Sequence, residues 1–345
     1  MKYKNLGNSN LKVSEYCLGS MTWGEASSEK DGHWQLDSAK AHGINFVDTA
    51  EMYPTNPMRR ETVGRTEEII GSWIKKRKSR DSLIIATKIT GSGSATVRNG
   101  EPISKSQLIK SVDESLVRLK TDYIDLYQLH WPNRGSYHFR KYWNFDPEIQ
   151  SSKEMDEHVS EVLLTLSDLV RDGKIRSIGL SNESAWGTIK FLELARRNNL
   201  VKVVSIQNEY SLLCRLFDTD LSEVCHHENV QLLAFSPLAA GLLTGKYQND
   251  IVPKGSRLDL TSTVTPNLSG RIGPNTFCAV EAYLNLAEKY NVDPVHMSLA
   301  FCASRPFMGS VIFGATNSKQ LTHILKGLDL ILSDEILAEI NLVNR

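Results

Sequence analysis

The chain has 345 residues, with 40 basic and 40 acidic side chains, and 41% of its residues are hydrophobic. Such a balance leaves no field to gather a nucleic acid or an anionic membrane surface, and the composition is that of a globular protein. The length suits one large core, within the range of an eight-fold strand and helix barrel with a few loop insertions.

In chain order, the start from Met1 to Leu11 is too polar for a signal peptide, and no later run has the apolar length of a membrane span. Short β-branched runs predict strands at 16–19, 45–48, 83–88, 124–129, 177–180, 204–207, 231–235 and 310–313. Helical patterns fall between them, at 66–78, 106–118, 159–172, 185–197 and 216–227. Strict alternation predicts a parallel sheet, and eight repeats predict a closed (β/α)8 TIM barrel in one domain spanning 1–345. The turn after the first strand, Cys17-Leu18-Gly19-Ser20-Met21, lacks the G-x-G-x-x-G spacing of an open dinucleotide-binding sheet. Gly91-Ser92-Gly93-Ser94 lacks the Gly-Lys that completes a phosphate loop and reads as a flexible loop without chemistry. Two stretches interrupt the alternation: an aromatic loop at 132–155 after strand four, and a Gly, Pro, Ser and Thr-rich one at 247–275 after strand seven. Loops this long are commonly functional, and both leave strands at the face where barrels build their sites.

Five cysteines, at 17, 214, 225, 278 and 302, never form a C-x-x-C pair. That pattern argues against disulfides and structural zinc and predicts a soluble protein of the reducing cytoplasm. No helix pattern carries histidines at i and i+4, and adjacent His226 and His227 point apart, so no metal is expected.

Most predicted strands end in a polar residue: Asp48, Lys88, His130, Ser181 with Asn182, Gln207 with Asn208, and Ser236. Taken singly, Tyr53 could be a packed aromatic, Asp48 with Lys88 a stabilising pair, and His130 a satisfied histidine. Around one rim they converge on one pocket. An ammonium at Lys88 would favour the phenolate of Tyr53 and sharpen it as an acid, with Asp48 as counter-ion. His130 would hydrogen-bond a substrate oxygen. No serine or cysteine nucleophile with a base is evident, so hydride transfer from a nicotinamide is the natural complement.

At these residues the chain resembles the aldo-keto reductase superfamily, and within it the bacterial Tas-type reductases. The resemblance is carried by CLGSMTWGE (17–25), GINFVDTAEMYP (43–54), IIATK (84–88), DYIDLYQLHWP (122–132), GKIRSIGLSNE (173–183), IQNEYSLLCR (206–215), FSPLAAGLLTGKY (235–247) and GATNSKQL (314–321). It implies NADPH-dependent reduction of aldehydes or ketones, with Asp48, Tyr53, Lys88 and His130 as the catalytic tetrad and Tyr53 as proton donor. It further implies that Ser181, Asn182 and Gln207 hold the nicotinamide amide and that Phe235 stacks on its ring. Ser236, Pro237, Leu238, Thr244 and Lys246 would hold the pyrophosphate and Arg257 would lie near the adenine end, with Gly314 and Gln320 in the last cofactor motif and Arg257, Lys246 and Lys319 as candidates for the 2′-phosphate. Thr22 and Trp23 fall on the rim beside the nicotinamide, and Trp23, Tyr53, His130 and Trp131 would wall the substrate pocket. His323 and Ile324 depart from the acid and amide with which the family grips adenine. A redox-sensing subunit, or a dehydrogenase running mainly in the oxidising direction, would use the same cofactor residues.

Overall fold

The computed structural model describes residues 1–263 and 265–344. It opens with an antiparallel hairpin of β1 (Tyr3–Asn5) and β2 (Lys12–Ser14). There follow β3 (Tyr16–Gly19), α1 (Glu29–Ala41), β4 (Phe46–Asp48), α2 (Arg65–Arg77), β5 (Ile84–Ile89), α3 (Lys105–Leu119) and β6 (Ile124–Leu129). Then come α4 (Ser152–Arg171), β7 (Ile175–Ser181), α5 (Ala185–Arg197), β8 (Val203–Glu209), α6 (Asp220–Glu228) and β9 (Gln231–Phe235). The chain ends with α7 (Arg257–Thr261), α8 (Pro266–Gly270), α9 (Thr276–Lys289), α10 (Pro294–Ala303), β10 (Met308–Phe313), α11 (Ser318–Leu325) and α12 (Asp334–Val343). Strands β3 to β10 pair in parallel, each with its neighbour, and β10 closes on β3. This is the (β/α)8 barrel expected from the alternation.

Beyond shifts of one or two residues at other element ends, three features depart from the sequence expectation. Helix α4 begins seven residues before the predicted 159, because Ser151 caps it by accepting from the Glu154 amide and Met155 extends its buried stripe. The predicted 216–227 helix splits at Thr219, whose non-helical φ of −92° and ψ of −123° separate a 3-10 turn at Leu216–Asp218 from α6. Two strands of three residues each, β1 and β2, are too short to show a period.

The pleat explains how the barrel interior becomes a site. Side chains two apart on a strand share a face, so one inward layer is stacked above another. The lower layer is apolar: Phe46, Ala86, Leu126 and Leu233 pack with Cys17 and with Leu6, Leu11 and Val13 of the hairpin region. Two residues further along three of these strands stand Asp48, Lys88 and Gln128, joined by Gln207, and the layer turns polar. Gln128 donates to Asp48 over 3.4 Å, and Gln207 donates to Asp48 over 2.8 Å and to Gln128 over 3.3 Å. Gly179 on β7 makes room for this layer, since a Cβ there would come 2.6 Å from Ser205 Oγ and 3.2 Å from Gln128 Cγ. The helical shell is equally tight at Gly71 on α2, where a Cβ would stand 2.2 Å from the Arg118 carbonyl oxygen.

Candidate active site

β4 delivers Asp48 to the barrel mouth, and the loop after it carries Tyr53. That loop is anchored from beneath by Glu51, which is buried and accepts from the Thr90 amide (2.6 Å), Ser111 (2.6 Å) and Arg98 (3.2 Å). β5 presents Lys88, wholly buried, whose Nζ donates to Asp48 Oδ2 (2.7 Å), to the Thr49 carbonyl (2.7 Å) and to Tyr53 Oη (3.4 Å). β6 runs out into His130, fixed at both ends of its backbone. Its amide donates to Ile89 (2.8 Å), and its carbonyl accepts from Asn182 Nδ2 (2.9 Å). The His130 ring stands edge-on to Tyr53, with centroids 5.8 Å apart, and its Nδ1 has no hydrogen-bond partner among the described residues. The four tetrad residues are therefore together.

Burial pushes the Tyr53 phenol above its ordinary value, and the Lys88 charge opposes that rise without cancelling it. The expectation that Lys88 leaves Tyr53 a sharper acid is thus half of the balance, and desolvation is the larger half. For Lys88, burial pulls down, but Asp48 and Tyr53 outweigh it and the net shift is upward. His130 lies well below the usual histidine range, chiefly from burial and then from the Lys88 charge. At neutral pH the set is an ammonium, a protonated phenol and a neutral imidazole.

Ser181, Asn182 and Gln207 are also joined: Ser181 Oγ donates to the Gln207 carbonyl (2.8 Å), and Asn182 Nδ2 donates to Ser181 Oγ (3.1 Å). Asn182 Oδ1 is buried with no partner, as an acceptor awaiting an amide donor would be. Phe235, half-buried, closes β9 and lines a narrow cleft with Asn182, Tyr137, His138, Phe139 and Tyr142, so the aromatic loop lies over this part of the rim. Arg140 holds that loop to Glu209 (2.5 Å), and Arg134 ties it to Glu183. Trp131 is braced by its Nε1 donating to the Ser92 carbonyl (3.0 Å) and by Phe139, 6.0 Å away edge-on. The 91–94 loop thus buttresses the rim.

After β9 the backbone turns left-handed at Ser236, Ala239, Ala240 and Gly241, a local curl of the kind that exposes amides to anions. Pro237 is buried and Leu238 half-buried in this curl, while Thr244 Oγ1 donates to the Gly241 carbonyl (2.8 Å). Lys246 Nζ lies 5.0 Å from the Tyr247 ring centre. Glu209 is taken by Arg140 and Arg271, so Arg257 has no carboxylate partner among the described residues. Burial and then the neighbouring Arg271 bring the Arg257 guanidinium down to about 10. Unpaired cations beside a left-handed curl, with an orphaned amide oxygen at Asn182, fit a dinucleotide whose phosphates and carboxamide would complete them.

Other sequence-assigned residues stand elsewhere. Trp23 is wholly buried against Gly32, with Nε1 donating to Gln35 (3.2 Å), so it is core between the first helices and not a pocket wall. Thr22 stays part-exposed in the turn before it, accepting from the Ser27 amide. Arg257 lies near enough to Tyr53 for its charge to reach the phenol. Gly314 and Gln320 are exposed, and Gln320 Oε1 accepts from the Thr316 amide (2.9 Å). Ile324 is buried core, and His323 turns to Asp293, 3.0 Å away. Sequence reasoning missed Gln128, Glu51 and Arg98. A glutamine facing into the barrel on β6 was the available signal for the first, whereas the others act across elements distant in sequence.

Residues 15–345 match the model of the Aldo/keto reductase family. The chain belongs to that family. This aldo/keto reductase is 42% identical to Protein tas of Escherichia coli, over the whole of this chain and 98% of that one. It is 30% identical to a probable voltage-gated potassium channel subunit beta of Arabidopsis thaliana, over 96% of this chain and 92% of that one. An uncharacterized oxidoreductase, YrpG, of Bacillus subtilis is 29% identical over 99% and 95%. The family is one of oxidoreductases that generally use a nicotinamide cofactor. Among the described residues no helix is long and apolar enough to cross a membrane.

Proposed function

We propose that this chain is an NADPH-dependent reductase of aldehydes or ketones, with Tyr53 as proton donor, acting on a small-molecule carbonyl in the cytoplasm. The observation that carries this reading is the contact of Lys88 with both Asp48 (2.7 Å) and Tyr53 (3.4 Å), beside a neutral His130. A bound reduced nicotinamide supplies the hydride to the carbonyl carbon. The carbonyl oxygen is received between Tyr53 Oη and the His130 ring, where an imidazole N–H orients it and Tyr53 donates the proton. Lys88, held cationic by Asp48, stabilises the phenolate left on Tyr53. Trp131 and the aromatic loop make the adjoining wall apolar, which favours apolar or aromatic carbonyls.

The 2′-phosphate preference rests on Arg257 and Lys246, cations without carboxylate partners among the described residues. Likeness to a channel subunit supports a second reading, a cofactor-binding sensor without useful turnover. The complete tetrad favours turnover. Purified protein assayed with NADPH and NADH against aldehydes, ketones and quinones tests both readings: NADPH bound tightly with no substrate turned over would favour the sensor, and faster turnover of alcohols with NADP+ would favour the oxidising direction.

A further inference from the structure

Three residues with no part in the chemistry above meet on the outer shell. Asp293 caps α10, His296 lies in its first turn, and His323 lies on α11, one turn after Gln320. One ligand atom of each lies within 4.8 Å of the others. His323 Nε2 is 3.0 Å from Asp293 Oδ2, and His296 Nδ1 is 3.9 Å from Asp293 Oδ1. Tetrahedral ligands about 2.0–2.1 Å from a zinc-class ion stand roughly 3.4 Å apart, a spacing within the 4.8 Å that spans one ligand atom of each residue.

The surrounding contacts fix each group as a ligand needs. His296 Nε2 is 2.8 Å from the His323 carbonyl oxygen, which can only accept, so Nε2 carries a proton and in the neutral ring the Nδ1 lone pair is the one turned to Asp293. A ring N–H held by a backbone carbonyl is the usual outer support of a metal-bound histidine. Asp293 Oδ1 accepts from the amides of Val295 (2.9 Å) and His296 (3.2 Å), leaving Oδ2 turned to His323. Gly327 completes the pocket. A Cβ there would stand 2.0 Å from His296 Cγ, so the ring lies flat on bare backbone and only glycine permits its position.

We propose that Asp293, His296 and His323 form a binding site for one divalent transition ion of the zinc class, with water in the remaining coordination position. Two imidazoles and one carboxylate select against magnesium and calcium, which take oxygen ligands. A bound ion links α10 to α11, so it stabilises the last strand and helix of the barrel by binding only the folded chain.

The test uses untagged full-length protein treated with chelator and then titrated with Zn2+ by calorimetry and with Co2+ by visible absorption. One equivalent is expected, with d–d bands of a low-coordinate Co2+ site and a rise in thermal midpoint. Asp293→Asn keeps a good helix cap while removing the charge, and His323→Gln changes a half-exposed side chain, so both should fold. Each should weaken Zn2+ by at least about tenfold, the lower range for losing even an outer-sphere partner. His226→Gln with His227→Gln on α6 should leave binding unchanged. Absence of a one-equivalent site, or wild-type affinity in both Asp293→Asn and His323→Gln, overturns the proposal.

Discussion

Lys88 Nζ stands 2.7 Å from Asp48 Oδ2 in the barrel interior, and neither side chain has meaningful access to water. Breaking such a pair from one side leaves a buried charge uncompensated, at a cost of about 3–5 kcal/mol. Lys88→Met is expected to lose stability on that scale, and adding Asp48→Asn should recover much of it. The Lys88 folded value is raised, so its contribution is whole below the unfolded value of about 10.4 and is lost as pH rises through the folded one. Urea unfolding of wild type and Lys88→Met should show a gap that is constant from neutral to mildly alkaline pH. A gap that already closes in that interval would show the pair is not ionised as described.

Tyr53→Phe should lower turnover by about 10²–10⁴-fold, the usual contribution of a positioned acid, with cofactor affinity nearly unchanged. Because burial keeps the phenol above its ordinary value of about 10, wild-type activity should hold through mildly alkaline pH. Steady-state rates beside fluorescence titration of the cofactor separate the two effects. A variant keeping a tenth or more of the rate with chemistry limiting would remove Tyr53 from proton transfer.

Arg257→Ala should weaken NADPH by about ten- to a hundredfold, the worth of one hydrogen bond to a charged group, and NADH much less. Among the described residues the guanidinium has no carboxylate partner to lose, so folding should be little affected. Equal losses for the two cofactors would place it at the pyrophosphate, consistent with its reach toward Tyr53, and make Lys319 the next residue to replace for the 2′-phosphate.

His130 is held neutral by burial, so its folded value lies below the unfolded value of about 6.5. Its share of stability is present above that pH and lost as pH falls toward the folded value, by up to about 1.4 kcal/mol per pH unit. His130→Gln should therefore narrow the stability difference between pH 7 and 5.5 in urea titrations. An unchanged difference would mean that the imidazole titrates alike in the folded and unfolded chain, so that burial is not what keeps it neutral.

The strands were legible because barrel strands buried on both faces read as short apolar runs, as at Ile84–Ile89 and Gln231–Phe235. The tetrad was legible because each member ends or follows such a run. What stayed hidden depends on partners far apart in the chain. Trp23 looks like a rim residue until Gly32 and Gln35 are folded over it. Glu51 anchors the Tyr53 loop through Ser111, 60 residues away. Arg257 opens the short α7 inside the long 247–275 stretch, whose path no local pattern sets, and it lacks a carboxylate partner among the described residues because two other arginines claim Glu209.

The apolar layer of Phe46, Ala86, Leu126 and Leu233, with Leu6, Leu11 and Val13 beneath it, closes the lower end of the barrel. Lys88 and Asp48 therefore rest on a floor that conducts neither water nor protons. Under the proposed mechanism, each proton that Tyr53 gives up would have to be replenished from the open mouth, by the same way that the carbonyl would enter. A bulky ligand lodged there would halt reprotonation as well as binding, so inhibitors of this rim should slow the recovery of the acid and not only compete for its substrate.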